Sequence, residues 1–369
     1  MLSDILVIDF SQHLPGPYAT LRLADRGAQI VKVETPRGDP ARHSVLQDGT
    51  DRYLFQANGR SKKSMVLDLK EASQRSVALD LIRQADVVIE SFRPGVTKRL
   101  GISYEDALIV NPGIVYCSLT GYGQNGPMHQ LGSHDMNFMA LSGALAQLKD
   151  EEGVPIPPSL TFADMAGGMA ASEAILAALI QRGKTGRGAY LDIAIADVVL
   201  SLMTTHVTVE SGSGEQHGLA KLSRGYVCYG IYRTKDKRYV ALGALESKFW
   251  DNFCLAVDRK QWLSARMSLQ REDNPIFLEM KQLFASRTLA EWTTFSLTID
   301  CCLTPILEVG ELHQHPQIQA RGLIQEKWGQ RYVGTCYLEQ NSVLDKATPA
   351  PTLGEHTEEW LARLARRPC

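Results

Sequence analysis

The amino-acid sequence predicts an α/β protein in which helices cover both faces of a parallel sheet, followed by a smaller α+β domain. Short runs rich in β-branched residues alternate with helical stretches through the first two hundred residues. Strands separated by helices of this size form parallel sheets. A polar, Gly/Ser-rich stretch then precedes a change of pattern. With 369 residues, of which 44% are hydrophobic, the chain is long enough for two domains.

The chain begins with a pattern typical of a βαβ unit. The run "ILVIDF" (5–10) predicts a strand, and "QIVKVE" (29–34) predicts the next one. Between them, "GPYATLRLADRG" has Pro17 in the position of a first helical turn and Gly27 where a helix C-terminus is capped. Because "SQHLPGP" lacks the pattern GxGxxG, a dinucleotide is not favoured as a ligand.

The alternation of strands and helices continues along the chain. Strands are predicted at 64–69, 86–92 and 114–123, with the helix "EASQRSVALDLIRQA" between the first two. Two further helices are predicted at 135–148 and 164–182. The second is dense in glycine and alanine, which allows backbones to approach closely, so we expect it to be buried.

The segment "ESGSGEQHG" (210–218) indicates a linker. Beyond it, "YVCYGIYRTKDKRYVALGAL" predicts two strands joined by the turn "TKDK", and "ESKFWDNFCLAV" predicts a helix. The tail adds short strands and the helix "GEHTEEWLARLARR", where Thr357 and Glu358 are expected to cap the helix start beside His356. The expected division is 1–205 for the first part of a large domain, 206–224 for the linker, 225–323 for a small domain and 324–369 for the tail.

Overall charge and motif content exclude several classes of function. The net charge is −2 and the pI is near 6.5, so neither nucleic acid nor a membrane surface is an expected partner. The seven cysteines are scattered without a CxxC pattern, which is typical of reduced thiols. No targeting leader and no stretch of membrane-span length is recognised, so a cytoplasmic protein is expected. Without HExxH, GxSxG or Walker patterns, no metal site, serine hydrolase or nucleotide hydrolase is favoured.

Candidate acid–base residues lie at three predicted helix starts: His134 with Asp135, Asp164, and Glu246. An aspartate at a helix start is usually a cap, and a carboxylate in the first turn interacts favourably with the helix dipole. In an open α/β sheet, however, helix starts at the ends of strands are also where ligands bind. Position in the sequence leaves both interpretations open.

Basic residues cluster in three places after the early predicted strands. Such side chains usually lie in solvent, although along one side of a sheet they also bind phosphorylated ligands. The residues are Arg42, then Arg60, Lys62 and Lys63, and then Arg93, Lys98 and Arg99.

Several long segments resemble the class III CoA-transferase superfamily, and the resemblance runs almost from end to end. The segments are "LPGPYATLRLADRGAQIVKVE", "SFRPGVTKRLG", "SLTGYGQNGP" and "TFADMAGGMAASEAILAALIQRGKTGRGAYLDIA". Within that superfamily, "GSHDMNFMALSG", "YRTKDKRYVALGALESKFWDNF", "CCLTPILEVGEL" and "GEHTEEWL" are most similar to the α-methylacyl-CoA racemases.

The resemblance implies a large Rossmann-like domain made from both ends of the chain, so that the tail from residue 324 returns to it. It also implies an interlocked homodimer and a CoA thioester as the substrate, with no further cofactor required. In the racemases, residues at the positions of His134 and Asp164 exchange the α-proton from opposite faces of the α-carbon. Glu246 matches the carboxylate that orients this histidine.

Three departures from the transferases favour racemisation at C2 of 2-methylacyl-CoA thioesters through an enolate. They are His134 itself, the pair Met139-Ala140 where transferases have Gln-Ala, and "GALESKF" in place of a glycine-rich loop. The alternative is CoA transfer between an acyl-CoA and a carboxylic acid through a covalent intermediate on Asp164. A third interpretation is a CoA-thioester-binding protein without turnover.

The resemblance also assigns residues to ligand binding. Arg42 and Arg93 match contacts to CoA phosphates, and Lys98 adds a nearby cation. Ser91 and Thr35 depart from common residues of the family, so the phosphate contacts are expected to be redistributed. The residues expected at the adenosine end are Lys62, Lys63, Val66, Leu67 and Asp68.

The reacting acyl group is expected near the predicted helix 135–148. Backbone N–H groups at its start, with Asp135 and Asn137 as supporting side chains, are expected to stabilise the enolate oxygen. Four methionines could form an adaptable acyl surface, although at helical spacing they are more often core residues. They are Met136, Met139, Met165 and Met169.

Overall fold

The computed structural model describes residues 1–43, 52–150, 152–220, 225–334 and 343–366, which divide into two units. Unit 1 contains Met1–Thr204 together with Ala320–Cys369, and unit 2 contains Thr205–Gln319. Unit 2 is therefore an insertion between the two segments of unit 1. Each unit has a hydrophobic core of its own.

The bounds of the elements are as follows. The strands are β1 (Leu6–Asp9), β2 (Gln29–Glu34), β3 (Lys62–Val66), β4 (Val87–Glu90), β5 (Val115–Thr120), β6 (Ala189–Ala194), β7 (Tyr229–Arg233), β8 (Tyr239–Gly243), β9 (Leu303–Pro305), β10 (Ile324–Lys327) and β11 (Gln330–Val333). The helices are α1 (Pro15–Ala24), α2 (Arg52–Gly59), α3 (Ala72–Gln84), α4 (Val96–Leu100), α5 (Tyr104–Val110), α6 (Asp135–Leu141), α7 (Phe162–Thr185), α8 (Ile195–Leu202), α9 (Thr204–Ser213), α10 (Ser247–Ala256), α11 (Pro275–Ala285), α12 (Leu289–Ser296), α13 (Pro316–Arg321) and α14 (Thr357–Ala365).

A six-stranded parallel sheet lies at the centre of unit 1, in the order β3-β2-β1-β4-β5-β6. The predicted α/β class is confirmed. On β1, Val7 pairs with Ile30 of β2 on one side and with Val87 of β4 on the other. The chain moves outward in one direction from β1 to β3 and in the other from β4 to β6, so the order reverses between β1 and β4.

Helices cover both faces of this sheet. Side chains alternate in direction along a strand, so Val7 lies in one core cluster and Ile8 in the other. Helices α1, α6, α7 and α8 pack on the face of Val7, and α3, α5 and α14 pack on the face of Ile8. The two clusters bury the β-branched runs from which the strands were predicted.

The C-terminal helix of unit 1 is attached to β3. Trp360 of α14 is buried in the core on the face of Ile8. Nδ1 of His356 accepts a hydrogen bond from Ser64 N at 3.3 Å, and Oγ1 of Thr357 accepts one from Val66 N at 3.0 Å. The expected capping of α14 by Thr357 was therefore wrong, because its hydroxyl binds the strand instead.

Unit 2 contains a three-stranded antiparallel sheet in the order β7-β8-β9. The predicted hairpin is confirmed, with the turn at "TKDK" and Lys237 in the left-handed region at φ +62°. Helices α10, α11 and α12 pack around an aromatic core in which the rings of Phe253 and Phe284 stack at 5.6 Å between centroids.

Two element boundaries differ from the sequence prediction. The helix predicted at 135–148 ends at Leu141, because Gly143 adopts φ +81° and breaks the helical backbone. The polar segment 210–218 is not wholly irregular, since α9 continues to Ser213. Residues 221–224 of the predicted linker lie outside the described residues.

Helix α7 is long and apolar enough, by length and composition, to cross a membrane, with 24 residues and a mean hydropathy of 1.4 over its most apolar window. The expectation that no segment reaches this length was therefore wrong. In unit 1 this helix packs against α1 and the sheet, and Arg182 near its end pairs with Asp86 at 2.7 Å. Core packing inside unit 1 covers 39% of that window, and Met169 and Ile180 are exposed, so the expectation that this helix is buried holds only in part.

Candidate active site

A cavity of about 760 Å³ opens in unit 1 where the strand order reverses. The loop after β1 (residues 12–15) and the loop after β4 (residues 91–94) form two of its walls. In open α/β sheets, ligands bind at this reversal, beyond the carboxyl ends of the strands. The topology alone therefore identifies the cavity as the candidate site.

His134 and Asp164 line the same cavity. His134 is the residue before α6, where its backbone N–H donates to Oδ1 of Asn137 at 2.9 Å and its side chain is exposed. Asp164 lies in the first turn of α7. Two separate helix starts thus place an imidazole and a carboxyl group on one cavity.

The environment of Asp164 makes its carboxyl group a weaker acid. Burial, together with the negative charge of Asp135, raises the pKa of Asp164 to about 6, and His134 opposes the shift. The backbone N–H of Asp164 donates to Oδ1 of Asp135 at 2.9 Å, which satisfies one of the free first-turn donors of α7. Asp135 therefore both positions Asp164 and makes it easier to protonate.

The side chains expected to support an enolate oxygen are already used as acceptors. Asp135 accepts from Asp164 N, and Asn137, which lines the cavity, accepts from His134 N. The four methionines are absent from the described residues that line the cavity. Met139 is buried in the core, Met165 is half-buried, and Met136 and Met169 are exposed.

Two of the predicted phosphate-binding residues are exposed to solvent beside or near the cavity. Arg93 lines it and lies so close to Gly132 that a Cβ built on that glycine would be 3.0 Å from Nη2 of Arg93. Lys98 is exposed on α4, which begins three residues after Arg93. Lys63 is part-exposed and lies 3.4 Å from Glu359.

Arg42 is bound within unit 1. Its Nε and Nη2 donate to the two carboxylate oxygens of Glu34 at 2.6 and 2.7 Å. Its guanidinium also lies 3.5 Å from the ring centroid of Phe55 and donates to the carbonyl of Pro351. The guanidinium therefore has a buried counterion in this structure.

Lys62 is an interior residue. Its Nζ donates to Oγ1 of Thr20 at 2.7 Å and to the carbonyl of Pro17 at 2.8 Å, and it lies 3.4 Å from Asp9. Burial lowers its pKa to about 8, and Asp9 opposes the shift. Because its ammonium group is already paired inside the protein, we do not include it among the proposed CoA contacts.

The backbone N–H groups of residues 66–68 are also engaged. Val66 donates to Thr357, Leu67 to the carbonyl of Glu34, and Asp68 to Oε1 of Gln74 at 2.7 Å. Ligand contacts from this segment are therefore left to carbonyl groups and side chains.

Glu246 belongs to unit 2, where it is the residue before α10. It is exposed, and its side chain makes no capping hydrogen bond to that helix. No group of three or more His, Cys, Asp or Glu residues that could hold a metal ion occurs in the part of the chain that the structure describes.

The sequence did not indicate that the loop after β1 forms a wall of the cavity. Gln12, His13, Leu14 and Pro15 all line the cavity. A loop that follows the strand beside the reversal point could have been selected if the strand order had been known.

Comparisons with known proteins identify the family of this chain. The model of CoA-transferase family III matches residues 2–357. The chain is 32% identical to the α-methylacyl-CoA racemase of Homo sapiens, covering 98% of this chain and 92% of that protein. It is 30% identical to an acyl-CoA transferase of Fusarium pseudograminearum, covering 98% and 84%.

A solved structure supports the same assignment. A CaiB/BaiF family protein from Brucella suis superposes with a TM-score of 0.81 at 26% identity, over 98% of each chain. The match of fold, sequence and family model extends over nearly the whole chain, and the family contains both racemases and CoA-transferases that act on acyl-CoA thioesters. The chain belongs to CoA-transferase family III.

Proposed function

We propose that the protein racemises 2-methylacyl-CoA thioesters at C2, with His134 and Asp164 as the two acid–base groups. The observation that supports this proposal most directly is that both residues face one cavity at the reversal point of the sheet. Inversion of a carbon that bears an acidic proton needs a base on one face and a protonated group on the other. One imidazole and one carboxyl group from different helices meet that requirement.

The proton balance is simple. One group removes the α-proton, and the electron pair of the C–H bond moves onto the thioester oxygen to form an enolate. The second, protonated group then delivers its proton to the opposite face of the α-carbon. The raised pKa of Asp164, about 6, favours both protonation states near neutral pH, as a group that both gives and takes a proton requires.

Coenzyme A enters as part of the substrate, and we propose that no other cofactor is needed. Arg93 and Lys98 are exposed cations at or near the cavity, which supports their role in holding CoA phosphates. Lys63 on the edge strand β3 is a further candidate, and Arg42 is another, although its guanidinium is already paired with Glu34. We also propose that Glu246 orients His134, as the resemblance implies. Full activity of Glu246→Gln would contradict this role.

The second candidate function is CoA transfer, and the identity to an acyl-CoA transferase supports it. In that reaction the Asp164 carboxylate attacks the thioester carbonyl and CoA leaves as a thiolate, so that an acyl anhydride forms on the enzyme. The two functions differ in one requirement, since transfer needs a free carboxylic acid as acceptor.

We also propose that the active form is a homodimer in the cytoplasm. Apolar side chains of unit 1 are exposed in the single chain, which is typical of a surface that a partner covers. A sedimentation-equilibrium experiment that finds only the mass of the monomer would contradict the dimer. The exposed side chains include Met136, Leu141, Leu160, Phe162, Met169 and Leu202.

The test of the proposed function uses purified protein and (2R)-2-methylacyl-CoA in D₂O without any acceptor acid. Racemisation predicts deuterium at the α-carbon together with the appearance of the 2S product. CoA transfer predicts no net reaction until a carboxylic acid is added. A protein that gives neither result would contradict both functions.

Replacement of Gly132 by alanine tests the role of Arg93. The new Cβ would lie 3.0 Å from Nη2 of Arg93, so the guanidinium must shift by a few tenths of an ångström. We expect the dissociation constant for CoA to rise about tenfold in Arg93→Ala, as for the loss of one charge-assisted contact of about 1.4 kcal/mol, and to rise by less in Gly132→Ala. Isothermal titration calorimetry measures this constant.

The control for this substitution is Gly310→Ala, because a Cβ at Gly310 meets no atom within 4 Å. The assignment of Arg93 is contradicted if Gly132→Ala and Arg93→Ala both bind CoA as tightly as Gly310→Ala does.

A further inference from the structure

The loop between β1 and α1 is fixed at three successive residues by side chains from other elements. The carbonyl of Ser11 accepts a hydrogen bond from Lys32 Nζ at 2.7 Å. The backbone N–H of Gln12 donates to Oγ of Ser91 at 2.9 Å, and that of His13 donates to Oδ1 of Asp39 at 3.1 Å. Side chains from three other parts of unit 1 therefore hold the backbone of this loop at Ser11, Gln12 and His13.

The backbone of His13 is strained in this conformation. Its φ is +65°, in the left-handed region that residues other than glycine seldom adopt. Asp39, which holds the His13 N–H, forms an ion pair of 2.8 Å with Lys32, and both side chains are only 1% exposed. Strain that the surroundings maintain in this way is concentrated at functional sites.

The imidazole of His13 is free to meet a ligand. It lines the cavity that contains His134 and Asp164, and it is exposed there. It forms no hydrogen bond with any residue in the described parts of the chain. The fixed backbone therefore presents an unused hydrogen-bond donor to the cavity.

His13 also lies close along the chain to the point where α1 touches α7. A Cβ built on Gly168 would lie 2.5 Å from the carbonyl oxygen of Pro15. Asp164 is four residues before Gly168, which is about one helical turn, or about 5.4 Å along the axis. Leu14 and Pro15, between His13 and this contact, line the cavity together with Asp164.

The reaction at this cavity needs a donor for the thioester oxygen. Negative charge develops on that oxygen in an enolate and equally in the tetrahedral intermediate of acyl transfer. The Asp135 carboxylate only accepts hydrogen bonds and does not supply it, and Asn137 could do so only through Nδ2, because its Oδ1 already accepts from His134 N.

We propose that the His13 imidazole donates a hydrogen bond to the thioester carbonyl oxygen of the bound acyl-CoA and stabilises the negative charge that develops there. The proton stays on His13 throughout, so the α-proton balance of His134 and Asp164 is unchanged. This inference rests on the proposed function in requiring an acyl-CoA ligand, but it holds for racemisation and for CoA transfer.

Two variants separate the side chain of His13 from its backbone. His13→Gly adopts the left-handed conformation without strain and lacks the donor, whereas His13→Asn tolerates the same conformation and retains an N–H donor. We expect kcat to fall about 100-fold in His13→Gly, as for the loss of one oxyanion donor, with the dissociation constant for free CoA unchanged. His13→Asn is expected to recover part of this loss.

Lys237→Gly is the matched control. Lys237 also has a left-handed backbone, at φ +62°, but it lies in the hairpin turn of unit 2. We expect it to leave kcat unchanged. If His13 had only a structural role, His13→Gly would be as active as the wild type, and that result would overturn the proposal. A loss in His13→Gly that appears only in KM would also overturn it.

A spectroscopic measurement tests the contact without turnover. In the Asp164→Asn background, infrared difference spectra of bound 2-methylpropanoyl-CoA labelled with ¹³C at the thioester carbon report hydrogen bonding to the carbonyl. We expect the band to move to higher wavenumber when His13→Gly is added. A carbonyl band that does not move would reject the donor role of His13. Failure of the proposed function would be seen in a different experiment, as wild-type protein that neither exchanges the α-proton nor transfers CoA.

Discussion

Replacement of Asp164 by asparagine is expected to slow the turnover of acyl-CoA strongly and also to stabilise the fold above about pH 6. Loss of a general acid–base group lowers kcat by about 10² to 10⁴-fold. The reason for the gain in stability is that burial and Asp135 raise the pKa of Asp164 from 3.8 to about 6, so the ionised form destabilises the folded state.

The sign of the pH dependence follows from the same shift. Between pH 4 and 6 the folded protein holds a proton on Asp164 that the unfolded chain has lost, so this residue makes stability fall as pH rises. Asparagine removes that dependence. The gain should be absent at pH 4 and reach about 1 kcal/mol above pH 6, after allowance for partial solvent screening.

Urea unfolding of wild type and Asp164→Asn at pH 4, 5, 6 and 7.5 measures this difference. Asp197→Asn is the control, because Asp197 is an exposed carboxylate in the first turn of α8 and does not line the cavity. Equal stability of wild type and Asp164→Asn at pH 7.5, or full activity of the variant, would contradict the assignment of Asp164.

Alanine at Gly168 is expected to destabilise unit 1, whereas alanine at Gly183 on the same helix is expected to stabilise it. A Cβ at Gly168 would lie 2.5 Å from the Pro15 carbonyl oxygen and 3.0 Å from the Tyr18 ring, so α1 and α7 would have to separate. Overpacking of this kind costs about 1–3 kcal/mol. A Cβ at Gly183 meets no atom within 4 Å, so helix propensity adds about 0.5–1 kcal/mol instead.

Thermal unfolding by calorimetry distinguishes the two substitutions. We also expect Gly168→Ala to lower kcat, because the separated helices carry Asp164 and the loop of residues 12–15. The packing of α1 on α7 would be refuted if the two alanine variants unfold at the same temperature.

The alternation of strands and helices was enough to predict β1 to β5 of the sheet of unit 1, whereas β6 was not predicted. The sequence of β6 is AYLDIA, in which Ile193 is the one β-branched residue, so the pattern that indicates the other strands is weak there. The helix predicted at 135–148 is too long, because its apolar pattern continues past Gly143, and only the backbone conformation of that glycine ends the helix. Helix ends that depend on one φ angle are not visible in the pattern of hydrophobic residues.

The candidate site was predicted in part. His134 and Asp164 line one cavity. Their positions in the sequence had left open whether they only cap helices or also face a ligand. The neighbouring residues Lys62 and Lys63 were assigned together, but side chains alternate along β3, so one faces Asp9 in the interior and the other faces solvent. Only the register, in which Lys62 pairs with Ile30 of β2, shows which lysine is buried.

The conformation of His13, on which its proposed role depends, could not be predicted from the sequence. Its left-handed backbone depends on Asp39 and Lys32, which are 26 and 19 residues away along the chain. No local motif indicates that these residues converge on one loop.

The attachment of α14 to β3 has a consequence for protein synthesis. Strand β3 is the outermost strand of its sheet, and its Ser64 and Val66 N–H groups bind side chains that lie 292 and 291 residues further along the chain. At 5–20 residues per second, a ribosome needs about 15–60 s to make the intervening polypeptide. During that interval the nascent chain exposes an uncovered strand edge, whose unpaired N–H and C=O groups can pair with other chains. Chaperone binding to nascent chains of this protein should therefore last until the final helix leaves the ribosome.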